Sequence, residues 1–516
     1  MKAYDETRIP RLGSQDTVDV QSLLLRPPDG PVVRHALLRV PDGKGLAARQ
    51  VLDETCRISF DVPRAADDLI CSIGFTFDGL DALCLPLAYL RVFQRFAPSF
   101  REGAVRRSVA VGDTGPSSAA GWRPEFGQER AHVIVSWHGR RDAVNAASLR
   151  LVRRWCRLLH SGTPSRVKLK QFFATLRGER LGAPKGRVGQ WAHFGFRDDV
   201  SDVAIDGLPR SQPAPDLRSH APGSLLLGWM DDEGLNRFSL TQAPDKVRRF
   251  VRSASFGILR PVRQNIAGFE EQVAKWQEEM CGLFPALEPA EISTTEPKAS
   301  APERFLVDKD FVKAKLCGRW PDGHPVHPGA AFPPAEGPSH DEFDLKLYSD
   351  GKCGRFVMAD KEGMGCPFGS HVRRMQPRPD AKGHLLPRPL LRRSVPFGSA
   401  SFDRIPTDGQ PRGHLAHFFC ASIENQFEHL LGQWGARPPL GAAAHDDALD
   451  PLMGPHDDPN TGLRIPLQGQ KTQTLTGFRA WTTTLGMAYA WYPGREGLRM
   501  LLDNDFVPVE LAGPWL

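Results

Sequence analysis

What most limits the folds open to this 516-residue chain is an order of elements that occurs in both of its halves. The stretch VRHALLRV (33–40) has the apolar and branched composition of a strand. KGLAARQVLDETC (44–56) carries apolar residues at helical spacing, and DLICSIGFT (68–76) is a second, largely apolar strand. RAHVIVSWHG (130–139) alternates as a strand does and runs into the helical DAVNAASLRLVRRWCRLL (142–159). Later, SFGILRPV (255–262) leads into IAGFEEQVAKWQEEMCGLF (266–284), and HLAHFFCAS (414–422) leads into IENQFEHLLGQW (423–434). Strand and helix units in this order predict an α+β fold of two ferredoxin-like lobes, each an antiparallel sheet backed by helices. We place an N-terminal extension at 1–16, a first lobe at 17–245 and a second at 246–516. PALEPAEISTTEPKASAPERF (285–305) has too little apolar surface to bury, and predicts a Pro-rich surface loop over about 285–340 of the second lobe.

Charge and cysteine usage narrow the function classes. The net charge of +6 comes from 66 basic and 60 acidic residues that are interleaved, so no basic stripe points to nucleic acid. No run of about 18 apolar residues predicts a membrane span. The nine cysteines, at 56, 71, 84, 156, 281, 317, 353, 366 and 420, are odd in number and form no CxxC pair. With no signal-like N-terminus, they predict reduced thiols and a cytoplasmic location.

Three stretches carry chemistry. In WAHFGFRDDVS (191–201) a run of aromatic residues precedes Arg197, Asp198 and Asp199. An ionised carboxylate in partly dry surroundings is paired, hydrogen-bonded or held for proton transfer; a loop acid that caps a helix or pairs with Arg197 would look the same. In GMGCPFGSHVRRMQPRPD (363–380) His371 is followed at once by Val372, Arg373 and Arg374. A loop imidazole with two arginines beside it suits a metal with an anionic group, as in haem, although it equally suits a solvated basic patch. Cys366 is a rival ligand. In PRPLLRRSVPFG (387–398) Arg392 and Arg393 follow two leucines, where a permanently charged fork can stabilise charge in a pocket or make an ordinary surface ion pair. HDDALDP (445–451) and GPHDDP (454–459) lack the glycine and glutamate of a calcium loop and are read as loop acids. No phosphate-binding loop, zinc-protease helix or nucleophile elbow is present.

Together these stretches resemble the dye-decolorising peroxidase (DyP-type) family, in its larger, long-loop class, over about residues 17–516. HFGFRDDVS is similar to that family's HFGFRDGIS, which holds its GxxDG motif, and GCPFGSHVRRMQPR to its CPFGAHIRRxNPR. LLRRSVPFG resembles ILRRGIPYG, PGSLLLGWMDDEG (222–234) resembles PGEFLLGYPDE.G, and IENQFEHLLGQW is similar to IERQFEFVQQQW.

The resemblance implies two ferredoxin-like lobes in a dimeric α/β-barrel-like arrangement, with haem b held chiefly by the second. It implies a peroxidase that reduces hydrogen peroxide and oxidises dyes, phenols or other bulky aromatic donors, as a monomer or homo-oligomer. It makes His371 the iron ligand, Asp198 the distal acid and Arg392 the distal arginine. Asp450, in LDPLMG, would hydrogen-bond the far nitrogen of His371, Arg373 or Arg374 would meet a propionate, and Leu415 and Phe419 lie on a strand beside the distal face. Trp481, Tyr489 and Trp491 would be candidates to carry electrons to the surface. The family's second motif glycine is Asp199 here, and RRG has become Arg392-Arg393-Ser394. That departure keeps open a second function, a haem-binding carrier or sensor with little peroxidase activity.

Overall fold

The computed structural model describes residues 12–507 apart from 62–68, 128–129, 159–171, 201–202, 209–218, 241–242, 282–306, 327–362, 376–387, 403–404, 438–448, 457, 459 and 467–471. The expectations for the first eleven residues and for the Pro-rich stretch 285–305 therefore lie outside the described residues.

In the first half, β1 (Val32–Leu38), β2 (Ile70–Phe75), β3 (Val133–Gly139) and β4 (Phe173–Glu179) form an antiparallel sheet in the order β4-β1-β3-β2. Helix α1 (Gly45–Cys56) joins β1 to β2, and α2 (Arg141–Leu158) follows β3. The two helices pack together on one face of the sheet, where α2 buries Val144, Leu151 and Trp155. In the second half, β5 (Ser255–Gln264) runs into α3 (Ile266–Cys281), and α4 (Lys309–Cys317) packs on α3. Next come β6 (Leu391–Arg392), β7 (Val395–Phe397) and β8 (Gly413–Cys420). A small hairpin of β9 (Leu463–Pro466) and β10 (Thr472–Leu475), then β11 (Thr482–Thr484) and β12 (Ala488–Tyr492), complete the strands. The order β12-β5-β8-β6 repeats that of the first half once β6 and β7 are counted as one interrupted strand. Both halves thus show the ferredoxin-like plan that the spacing predicts.

The two sheets are not separate. Strand β12 pairs with β5 and also meets β2 antiparallel, Trp491 opposite Phe75, so one ten-stranded sheet runs through both halves. At the far ends β4 lies against β7 and β8, which curls the sheet towards a barrel. Because side chains alternate across a strand, each strand sends one set inward and one set outward. The inward set includes His35, His138, His417 and Tyr492, all fully buried. His35 meets Ser136 at 2.7 Å, and His417 Nε2 meets the Tyr492 hydroxyl at 2.9 Å. Gly74 and Gly257 leave room for the Tyr492 ring, since a Cβ at either would stand 2.5 or 2.2 Å from it. The outward set is apolar and meets the helices: Phe256 and Trp491 pack with Phe93, Phe100 and Phe250. Asp113, 2% exposed, takes both guanidinium arms of Arg260 at 2.7 Å and so locks the first half to β5. Among the described residues no helix is long and apolar enough to cross a membrane. Seven cysteines there are free thiols.

Candidate active site

The aromatic stretch before Asp198 folds as a tight loop. Ala192 N–H donates to Phe196 O at 2.7 Å, and Gly195 takes φ +80°, a backbone region that favours glycine. Phe194 and Phe196 are buried in a second core with Phe269, Trp276 and Trp481. Asp198 N–H is held by Gln190 O at 2.7 Å, and Arg197 N–H by Pro321 O at 2.7 Å. The two adjacent carboxylates then part. Asp199 pairs with Arg197 at 2.5 Å, while Asp198 Oδ1 accepts from Arg392 Nη1 at 2.5 Å. Oδ2 of Asp198 has no hydrogen-bond partner among the described residues. Asp199 does not have a positive φ, so its side chain carries no left-handed strain.

Strand pairing aims Arg392. It stands opposite Phe418 on β8, and residues opposite one another in an antiparallel ladder share a face. Arg393 consequently turns to the barrel side, 5% exposed, where its Nε donates to Leu23 O. Ser394 has a part in the ladder: its Oγ accepts His417 N–H at 3.1 Å, while Arg393 N–H donates to His417 O. The same register corrects one expectation. Leu415 and Phe419 lie on the face opposite Arg392, packed against Val395 and Leu391 in the barrel core. The β8 residues that share the face of Arg392 are His414, Ala416 and Phe418.

His371 begins α5 (His371–Met375), after a turn closed by Ser370 N–H to Pro367 O. Its Nδ1 meets Asp450 Oδ2 at 2.8 Å, and Asp450 is wholly buried. The other carboxylate oxygen accepts the N–H groups of Leu452 and Met453 at 2.9 and 3.0 Å, which fixes the acid's orientation. Nδ1 therefore carries a proton and donates it, so that in the neutral ring the lone pair lies on Nε2. Nε2 has no hydrogen-bond partner among the described residues. Burial lowers the imidazole's proton affinity, but the Asp450 carboxylate more than offsets it, so the pKa is raised; Arg392 and Arg374 pull it down. Asp450 moves the other way: desolvation raises its pKa, but His371, Arg374 and the Leu452 amide together outweigh that and lower it. Arg392, paired with Asp198, thus also lies near enough to His371 for its charge to act there.

Arg373 and Arg374 are braces of this loop. Arg373 donates to Cys366 O at 2.6 Å and lies over the Phe368 ring. Arg374 donates to Gly369 O, Trp434 O and Arg437 O, tying α5 to the helix that follows β8. Cys366 points its sulfur at Ser370 Oγ, 3.0 Å away, and would lie 2.6 Å from a Cβ on Gly318, so it is a packed thiol under α4. Trp481, Tyr489 and Trp491 are all buried, at most 2% exposed, and none presents a surface to a bulky donor.

Two histidines escaped the sequence reading. His193 anchors Nε2 on Phe397 O at 2.8 Å, and its Nδ1 is buried without a partner among the described residues. His414 Nδ1 is in the same condition. Burial pushes both imidazoles down to about 4. The signal for His414 was the two-residue period of β8 counted from the partner of Arg392.

No family model matches the chain. Among curated proteins it is 26% identical to a dye-decolorizing peroxidase of Mycena epipterygia over 308 residues, 56% of this chain and 51% of that protein. It is 25% identical to the dye-decolorizing peroxidase msp1 of Mycetinis scorodonius over 431 residues, 79% and 72% of the two chains. The match thus spans about half the length of the first and about three quarters of the second. Solved structures share the fold over nearly the whole chain. A dye-decolorizing peroxidase in complex with 2,6-dimethoxyphenol superposes with a TM-score of 0.68 at 20% identity, over 94% of this chain and 98% of the other. A decolorizing peroxidase from Auricularia auricula-judae gives 0.67 at 17% identity, over 95% and 99%.

Proposed function

The chain belongs to the dye-decolorising peroxidase family, and from that premise we propose that it is a haem peroxidase that reduces hydrogen peroxide and oxidises dyes, phenols or similar aromatic donors. The observation that carries the reading is the pair of arrangements that Arg392 joins: a bare His371 Nε2 backed by a buried carboxylate, and an acid whose second oxygen is open. These residues fit haem b. His371 Nε2 would hold it, and Asp450, by keeping a proton on Nδ1, would leave Nε2 as the ligating nitrogen and make it more basic. Bound there, haem supplies the iron that exchanges electrons with peroxide and with the organic donor.

The protein's own part is proton handling and orientation. Asp198 Oδ2 takes a proton from the near oxygen of hydrogen peroxide and returns it to the far one, so that water departs. Arg392, charged throughout, steadies the Asp198 carboxylate and offsets the negative charge that grows as the O–O bond lengthens. Phe194 and Phe196 wall the loop with apolar surface and limit water around the acid. We assign Arg373 and Arg374 to the loop that carries His371, because their hydrogen bonds described above go to main-chain carbonyls.

A haem carrier or sensor is the second reading, and it rests on Asp199. The carboxylate of Asp199 is taken by Arg197 and its backbone is unstrained, which favours turnover. Stopped-flow absorbance of the haem-loaded protein mixed with a slight excess of hydrogen peroxide tests the choice. A rapid change of the ferric Soret band, slowed at least about 100-fold in Asp198→Ala and in Arg392→Ala, is expected. A ferric spectrum that ignores peroxide would overturn the peroxidase.

A further inference from the structure

His414 is left over by the mechanism just given, and its surroundings are those of a ligand-binding group. It stands on the face of β8 that also carries Ala416 and Phe418, the partner of Arg392. Pro396 lies opposite it in the ladder, and Phe397, the next residue, holds the ring of His193. The charged groups that act on His414 are Asp198 and Arg392, with His193 the remaining titratable neighbour. Its Nδ1 is buried and without a hydrogen bond among the described residues. A buried polar atom with no partner is costly, and a molecule bound on the face that His414 shares with the partner of Arg392 would satisfy it.

We propose that His414 is a second residue that binds the peroxide, hydrogen-bonding through Nδ1 the same molecule whose proton Asp198 takes. This rests on the haem peroxidase reading above. Hydrogen peroxide carries two O–H donors and four lone pairs, so one carboxylate and one guanidinium leave part of it unmatched. A neutral imidazole can serve it as acceptor in one tautomer or donor in the other. Because burial keeps the ring neutral far below pH 7, His414 offers the hydrogen bond without competing with Asp198 for the proton. Ala416, two residues along on the same face, adds only a methyl group beside it. The ligand class is a small protic molecule, hydrogen peroxide or its mimic hydrogen cyanide, which also delivers a proton to the site as it binds.

Cyanide affinity reads this without turnover. The ferric, haem-loaded protein is titrated with cyanide at pH 7 and followed at the Soret band, for the native chain and for His414→Leu, His414→Phe and His414→Gln. Loss of the hydrogen bond should raise Kd about 5- to 30-fold in the two apolar variants, with Gln within about 3-fold of native. The Soret position without cyanide should be unchanged. Two apolar side chains of different shape guard against one of them failing to fold. A native-like Kd in an apolar variant that holds haem normally would overturn the role of His414 alone, and so would an equal loss in all three, which would trace the effect to packing. Absence of any Soret band in the native protein would overturn the haem reading, and this proposal with it.

Discussion

Replacing Asp450 by Asn changes one atom at the most enclosed point of the site, and its effect can be followed bond by bond. The carboxylate is 0% exposed; one oxygen takes two amides and the other takes His371 Nδ1–H at 2.8 Å. Asn can keep its oxygen on the amides, but then its NH₂ faces the imidazole, and two donors oppose each other. The ring relieves this by moving its proton to Nε2, the nitrogen that the proposed function leaves for iron. The loss is a hydrogen bond to a charged group, about 1.5–3 kcal/mol, or roughly 10- to 150-fold in an equilibrium constant. Haem should leave Asp450→Asn about 10- to 100-fold faster than the native protein. The assay is transfer to excess apomyoglobin followed at the Soret band. A second reading comes from the ferric/ferrous midpoint potential, which should rise as the imidazole becomes a poorer donor. Circular dichroism would check that the fold is kept. A release rate within about two-fold of native, with an unmoved potential, would refute the idea that Asp450 sets the tautomer of His371.

Three further outcomes are expected. Asp113→Ala leaves the largely buried Arg260 without its bidentate partner, and urea unfolding should show a loss of about 3–5 kcal/mol; a loss under about 1 kcal/mol would mean that the two halves are not locked there. Asp199→Gly should leave peroxide turnover within about three-fold, because it removes only a part-exposed pair with Arg197; a gain of ten-fold or more would revive the carrier reading. Acid should destabilise the fold through its buried histidines. His35, held down to about 3 by burial, stays neutral in the folded barrel while the unfolded chain binds a proton below about pH 6.5. Stability is therefore full above the unfolded value and is lost as pH falls from about 6.5 towards 3, by roughly 4 kcal/mol for this group alone. His138 and His417 act in the same direction. A melting temperature that stays flat from pH 6.5 to 4, or one that His35→Gln does not flatten, would contradict this.

Much of the fold was legible because its elements announce themselves over short spans. The apolar, branched composition of VRHALLRV and the helical spacing of DAVNAASLRLVRRW fall on β1 and α2 with ends shifted by a few residues. The order of strands followed from strand–helix–strand units, since few arrangements bury such a set. What short spans cannot convey is which strand ends meet across hundreds of residues, so the joining of both halves through β12 was invisible. The site shows the same division. Asp198, Arg392, His371 and Asp450 were each marked by their own stretch, and the structure brings Asp198 to Arg392 and His371 to Asp450. Leu415 and Phe419 were misplaced because facing is decided by register with Arg392, and a one-residue shift sends every side chain to the other face. The double arginine read as anion-binding also donates to the carbonyls of Cys366, Gly369, Trp434 and Arg437, a use that no local pattern reveals.

The pairing of β12 with β2 has a consequence for how the chain is made. The first four strands are complete by Glu179, yet the free edge of β2 is not covered until residues 488–492 emerge. Through some three hundred residues of elongation a nascent polypeptide would carry an open ladder of amide and carbonyl groups with apolar rings behind it, the kind of edge that recruits strands from other chains. Contacts so distant in sequence also close slowly. Yield in a heterologous host should thus depend on chaperone supply and on translation speed between Glu179 and Tyr492 more than on the stability of the finished barrel.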